Sequence, residues 1–126
     1  MEIKRVTYQE SMTIQEFYQA ANARSESTSE NRYARCMLDL VDALVEDGGP
    51  PLIWGMTSHL SLYLFAEGKH QGVSIVPFGE GAWSISCSPP PEFQLWSDVT
   101  VSGHTCDLSE AVRRVRLGLK WAGFTS

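Results

Sequence analysis

The sequence predicts an α+β fold: a single domain, residues 1–126, with an antiparallel sheet of about four to five strands, N-terminal helices and a C-terminal helix packed on it. Three observations carry this. Between Pro51 and Gly103, short alternating runs are separated by turn residues, as in consecutive antiparallel strands. Long amphipathic patterns at helical spacing lie on either side of them. The chain, at 126 residues with 43% hydrophobic side chains, suits one core with no metal or disulfide to staple it.

The elements follow in order. "EIKRVTY" (Glu2 to Tyr8) alternates weakly, as a short edge strand would. "TIQEFYQAANAR" places Thr13 three residues before Glu16, a capping box, and puts Ile14, Phe17, Tyr18 and Ala21 on one helical face. The polar run "SESTSE" (Ser25 to Glu30) reads as a loop. Next, Tyr33, Met37, Leu40, Val41 and Leu44 recur at helical spacing beside Cys36, before Gly48, Pro50 and Pro51 stop the helix.

Four strand-like runs come next. "PLIWGM" opens the series and "LSLYLFA" alternates from Leu60 to Ala66. "EGKHQG" forms a hairpin loop before "VSIVPF", where Pro77 marks a strand end, an edge or a bulge. "GEG" turns the chain into "AWSISCS", with Trp83, Ile85 and Cys87 on one face and Ser84, Ser86 and Ser88 on the other. After "PPPEF", "DVTVSG" makes one more short strand. The last helix buries Leu108, Ala111, Val112, Val115, Leu119 and Ala122, with Asp107 as its N-cap, Glu110 completing a capping box, and Gly123 as its stop.

Charge and cysteine usage narrow the function classes. The net charge of −5 lacks the basic stripe of a nucleic-acid binder, although Arg113, Arg114, Arg116 and Lys120 make the last helix locally basic. Three cysteines, Cys36, Cys87 and Cys106, are too few and too scattered for a secreted disulfide framework. No apolar leader or membrane-length run is visible, so a cytoplasmic protein that binds neither nucleic acid nor membrane is expected.

"SGHTCDLSEAV" gathers His104, Cys106 and Asp107, residue types that bind metals and act as nucleophiles. Structural zinc needs paired ligands at C-x-x-C or H-x₃₋₅-H spacing, and none occurs. A cysteine nucleophile needs an orienting group and an oxyanion pocket, which the sequence does not identify. Asp107 and Glu110 read as a helix start, and Cys36 and Cys87 as small core residues. The glycines of "GEGAW" and "EDGGPP" fit no phosphate-binding pattern. Neither catalytic residues, metal ligands nor a cofactor are therefore assigned. "SPPPEFQLWSD" remains, a proline-rich loop with aromatic residues and acidic margins. One reading makes it a recognition patch of Glu80, Glu92, Phe93, Trp96 and Asp98. The other folds Phe93 and Trp96 back over the core.

The strands "LSLYLFAEG" and "VSIVPFGEGAWSIS", the following "PPPEF" and the closing "DLSEAVRRVRLGLKWAGF" resemble, in layout, the small cytoplasmic immunity proteins of bacterial polymorphic-toxin systems. The resemblance spans residues 52–124 and rests on layout, without a shared motif. It implies a non-enzymatic inhibitor that binds one cognate toxin domain, often over its active site. As alternatives, a secretion chaperone would hold an effector segment as a homodimer, and a small enzyme would use Cys106 and His104. A monomer or a homodimer is compatible with the sequence.

Overall fold

The structure, a computed structural model, describes residues 1–6, 12–24, 28–46, 53–65, 72–78, 81–89, 92, 94, 96 and 99–122. The elements are β1 (Ile3–Arg5), α1 (Ile14–Arg24), α2 (Thr28–Glu46), β2 (Ile53–Ser58), β3 (Ser61–Phe65), β4 (Gly72–Phe78), β5 (Ala82–Cys87), β6 (Val101–Thr105) and α3 (Leu108–Trp121). The α+β class is as the sequence predicts.

The sheet differs from expectation in size and direction. It has six strands in the order β1-β2-β3-β4-β5-β6, and β1 pairs parallel with β2. The other neighbours are antiparallel. The correction has a topological cause. β1 reaches β2 through two helices rather than a tight turn, and parallel neighbours need such a crossover. Three residues of strand carry no signal of direction. The pairing is nevertheless real in the backbone: Ile53 N donates to Glu2 O at 2.9 Å and Val6 N to Gly55 O at 3.1 Å.

α1 begins as its sequence dictates. Thr13 Oγ1 accepts from Glu16 N, and Glu16 Oε1 accepts from Thr13 N, each at 3.0 Å. The Thr13 backbone N–H, and to a lesser degree the Thr13 side chain, hydrogen-bond the Glu16 carboxylate, favour its ionised form and lower its pKa. Ile14 and Tyr18 are buried, and the Tyr18 hydroxyl donates to Leu60 O at 2.9 Å, tying the β2–β3 turn to α1. α2 starts at Thr28, so the expected loop over residues 25–30 is shorter than the polar run suggests; residues 25–27 lie outside the described residues. Serine and threonine suit the opening of a helix as well as a loop, which is why composition alone misplaced the boundary. Met37, Leu40, Val41 and Leu44 are fully buried. Burying each such side chain is worth roughly 1.5–3 kcal/mol, so this stripe and not intrinsic propensity holds α2 in place.

The strands alternate strictly enough to define two faces. Ile53, Leu62, Leu64, Val73, Ile75, Trp83 and Ile85 point into one core with α1, α2 and α3. Trp83 Nε1 donates to Cys36 O at 3.1 Å across this core. Pro77 lies where β4 runs past the end of β3 and pairs only with β5, opposite Trp83, so its missing N–H costs the β3–β4 ladder no hydrogen bond. The β4–β5 turn ends at Gly81, whose φ of +80° favours glycine. β6 is placed slightly later than "DVTVSG" suggests, running through His104 and Thr105. α3 buries Ala111, Val115, Gly118 and Leu119, while Leu108 stays 38% exposed. Its expected stop at Gly123, like those of α2 at Gly48 and Pro50, lies outside the described residues.

Candidate protein-binding surface

All three helices pack on one side of the sheet, and among the described residues no helix or strand covers the other side. That open face is built by the second parity of each strand. Register places Lys4 beside Trp54, Trp54 beside Phe65, and Met56 beside Tyr63. It then places Tyr63 beside Ser74, Ser74 beside Ser86, and Ser86 beside Ser102. The face is thus aromatic at the β1–β3 end and hydroxyl-rich toward β6.

Specific contacts order this surface. Lys4 Nζ sits 5.2 Å from the Trp54 ring centroid, and Tyr63 stacks on Phe65 at 5.5 Å. The Phe78 and His104 rings lie 4.9 Å apart. They come from β4 and β6 and meet across β5, where Ala82 opposite Phe78 and Ser84 opposite His104 are small enough to let them touch. Val76 is 42% and Phe78 51% exposed, both on this face. Large apolar side chains at such exposure on an uncovered sheet face suit contact with another macromolecule.

The expected recognition loop is only partly described. Trp96 is 69% exposed and Glu92 is exposed, so Trp96 does not fold onto the core. Glu80, Phe93 and Asp98 lie outside the described residues. Val76 and Phe78 are not among the candidate residues that the sequence singles out. Their signal was present in "VSIVPF", since both share the parity of Ser74, but only the packing of the helices reveals which parity stays uncovered.

The His104–Cys106–Asp107 cluster disperses. His104 points to the open face from β6, Cys106 is an exposed residue beyond the strand end, and Asp107 caps α3. Asp107 Oδ1 accepts from Glu110 N at 3.1 Å. The reciprocal half of the expected capping box is not made. Asp107 N donates to Thr105 Oγ1 at 3.1 Å, while Glu110 is drawn to two arginines instead. Arg113 Nη2 donates to Glu110 Oε1 at 2.6 Å and Arg114 Nε to the same oxygen at 2.9 Å. Hydrogen bonds from Arg113 and Arg114, with their charges, hold the Glu110 pKa down at about 2.

The remaining thiols behave as core groups. Burial, with Asp39 nearby, pushes the Cys36 pKa up to about 11, against an opposing hydrogen bond from Trp83. Burial raises that of Cys87 as well. Both are poor nucleophiles near neutral pH, since the thiolate is the reactive form. Among the described residues no three His, Cys, Asp or Glu side chains gather where one ion would reach them. Open grooves of about 370 Å³ and 410 Å³ lie beside β1, at Arg5 and Thr13, and between α2 and α3, at Glu46 and Leu108. No helix among the described residues is long and apolar enough to cross a membrane. No family model, curated protein or solved structure matches the chain.

Proposed function

We propose that this chain is a non-enzymatic protein-binding inhibitor of the immunity type, which neutralises a cognate bacterial toxin by binding its toxic domain. The observation that carries the protein-binding reading is the uncovered sheet face, where Val76 and Phe78 stand exposed beside His104. The toxin as partner comes from the layout of the strands and closing helix, and the net charge of −5 suits a partner with a basic cleft. In mechanism, the aromatic face and Trp96 bury against the partner and set the off-rate. Glu92 lies near Trp96 in sequence and acts on the rate of encounter.

The test begins with the proteins encoded next to this gene, each purified and titrated against the chain. A partner should bind, and Phe78→Ala or Trp96→Ala should weaken it by roughly 30-fold or more, the loss typical of a central aromatic anchor. Glu92→Gln should slow association more than it speeds dissociation. If no neighbouring product binds, the toxin reading fails. If one binds but is indifferent to Phe78 and Trp96, the surface has been misassigned.

A further inference from the structure

Among the described residues β6 is the last strand on its side of the sheet. Directly opposed residues on antiparallel strands alternate between pairs that exchange both backbone hydrogen bonds and pairs that exchange none, with side chains closer in the latter. Pro77, opposite Trp83, has no N–H to exchange, so that pair is of the second kind and the backbone groups of Trp83 turn to β6; by alternation Ser86 and Ser102, whose hydroxyls meet at 2.8 Å, are also a pair of the second kind. His104, two residues on and opposite Ser84, has the same character. The backbone N–H and C=O groups of Ser102 and His104 therefore point away from β5, to the open side of β6.

Such an edge is a template for another strand, and proteins usually blunt it with proline, charge, a bulge or cover. β6 reads Val-Ser-Gly-His-Thr, without proline or a formally charged residue, and Val101 is 46% exposed. Among the described residues no strand or helix lies beyond it. One side chain does reach the edge. Arg114, from α3, donates from Nη1 to His104 O at 3.2 Å. The guanidinium passes over Gly103, where a Cβ would stand 3.4 Å from Arg114 Nη1, in ordinary contact. Glu110 holds the guanidinium from its other side through Nε.

We infer that Arg114 is a latch on the β6 edge, and that the unlatched edge pairs with the same edge of a second copy of this chain. The strand is its own complement. A two-fold axis at Gly103 sets Ser102 of each copy opposite His104 of the other, so that the outward groups satisfy one another. Val101 then lies beside Thr105 on the helix-covered side, and no like charges meet within the strands. The guanidinium sits at the His104 acceptor that this pairing needs, on the edge where the second strand would lie, so latch and association compete. This inference is independent of the toxin-binding proposal.

Analytical ultracentrifugation of the full chain tests it. The wild type should sediment as a monomer. Arg114→Ala should form a dimer, its dissociation constant lower by roughly tenfold or more, as loss of a charge-assisted bond implies. Adding Ser102→Pro to Arg114→Ala should restore the monomer, because proline removes an outward N–H that the sheet does not use. Arg114→Met keeps the aliphatic stem but no donor, should also dimerise, and serves if the alanine variant fails to fold. A wild-type dimer would overturn the inference. So would monomeric Arg114 variants, or an association that Ser102→Pro leaves intact.

Discussion

Glu110 shows how one residue's surroundings redirect a role written in sequence. Three residues after the N-cap, a glutamate ordinarily reaches back to close a capping box, and Glu16 does so for α1. Glu110 has Arg113 and Arg114 on its own helix face, at i+3 and i+4, and charge-assisted bonds win over a neutral amide. The pH dependence follows from the direction of the shift. Folding lowers the Glu110 pKa from 4.5 to about 2, so folding favours its ionised form. Its contribution is complete above the unfolded value, drains as pH falls through that window, and is gone below about 2. Thermal melts from neutral pH downward should therefore show the wild type losing its advantage over Glu110→Gln across that window. A difference between the two that is the same at every pH would contradict the ion pairing.

At the scale of elements, Gly118 is the clearest case of sequence and structure pulling apart. A glycine inside α3 costs about 1 kcal/mol of helix propensity relative to alanine, which makes it look like a flaw. The packing explains it. A Cβ there would stand 2.7 Å from Val73 Cγ2 and 3.1 Å from Cys87 Cβ, so α3 lies directly against β4 and β5. Val73 is fully buried and β-branched, with little freedom to yield. Overpacking of this kind costs roughly 1–3 kcal/mol, more than the propensity gained. Gly118→Ala should thus lower the midpoint of denaturant unfolding, against the direction helix propensity alone predicts; a raised midpoint would show that α3 can lift off the sheet freely. The caps of α1 and α3 and the apolar stripe of α2 were legible because each is a pattern over neighbouring residues. The parallel pairing of β1 and the closeness of Gly118 to Val73 were not, because both depend on residues far apart in the chain.

For the molecule as a whole, the sequence carried the alternation that makes two faces but not the knowledge of which face the helices would take. Ser84 and Ser86 were readable as one face, and Trp83 and Ile85 as the other. The candidate site became visible only once α1, α2 and α3 were seen together on the Trp83 side, leaving Val76, Phe78 and His104 uncovered. The loop with Glu92 and Trp96 stands out by composition, and its Trp96 is exposed. The strand order has a consequence for how the fold assembles and comes apart. From β3 to β6 each strand pairs with its predecessor, so those contacts close loops far shorter than the one between β1 and β2 and cost less chain entropy. β1 meets β2 across the whole helical segment, with three paired residues to repay a much longer loop. Its ladder should therefore be the sheet's first to open in native-state hydrogen exchange. The amides of Val6 and Ile53 should lose protection well before those of β4 and β5, and equal protection would mean that the crossover and the meander open as one cooperative unit.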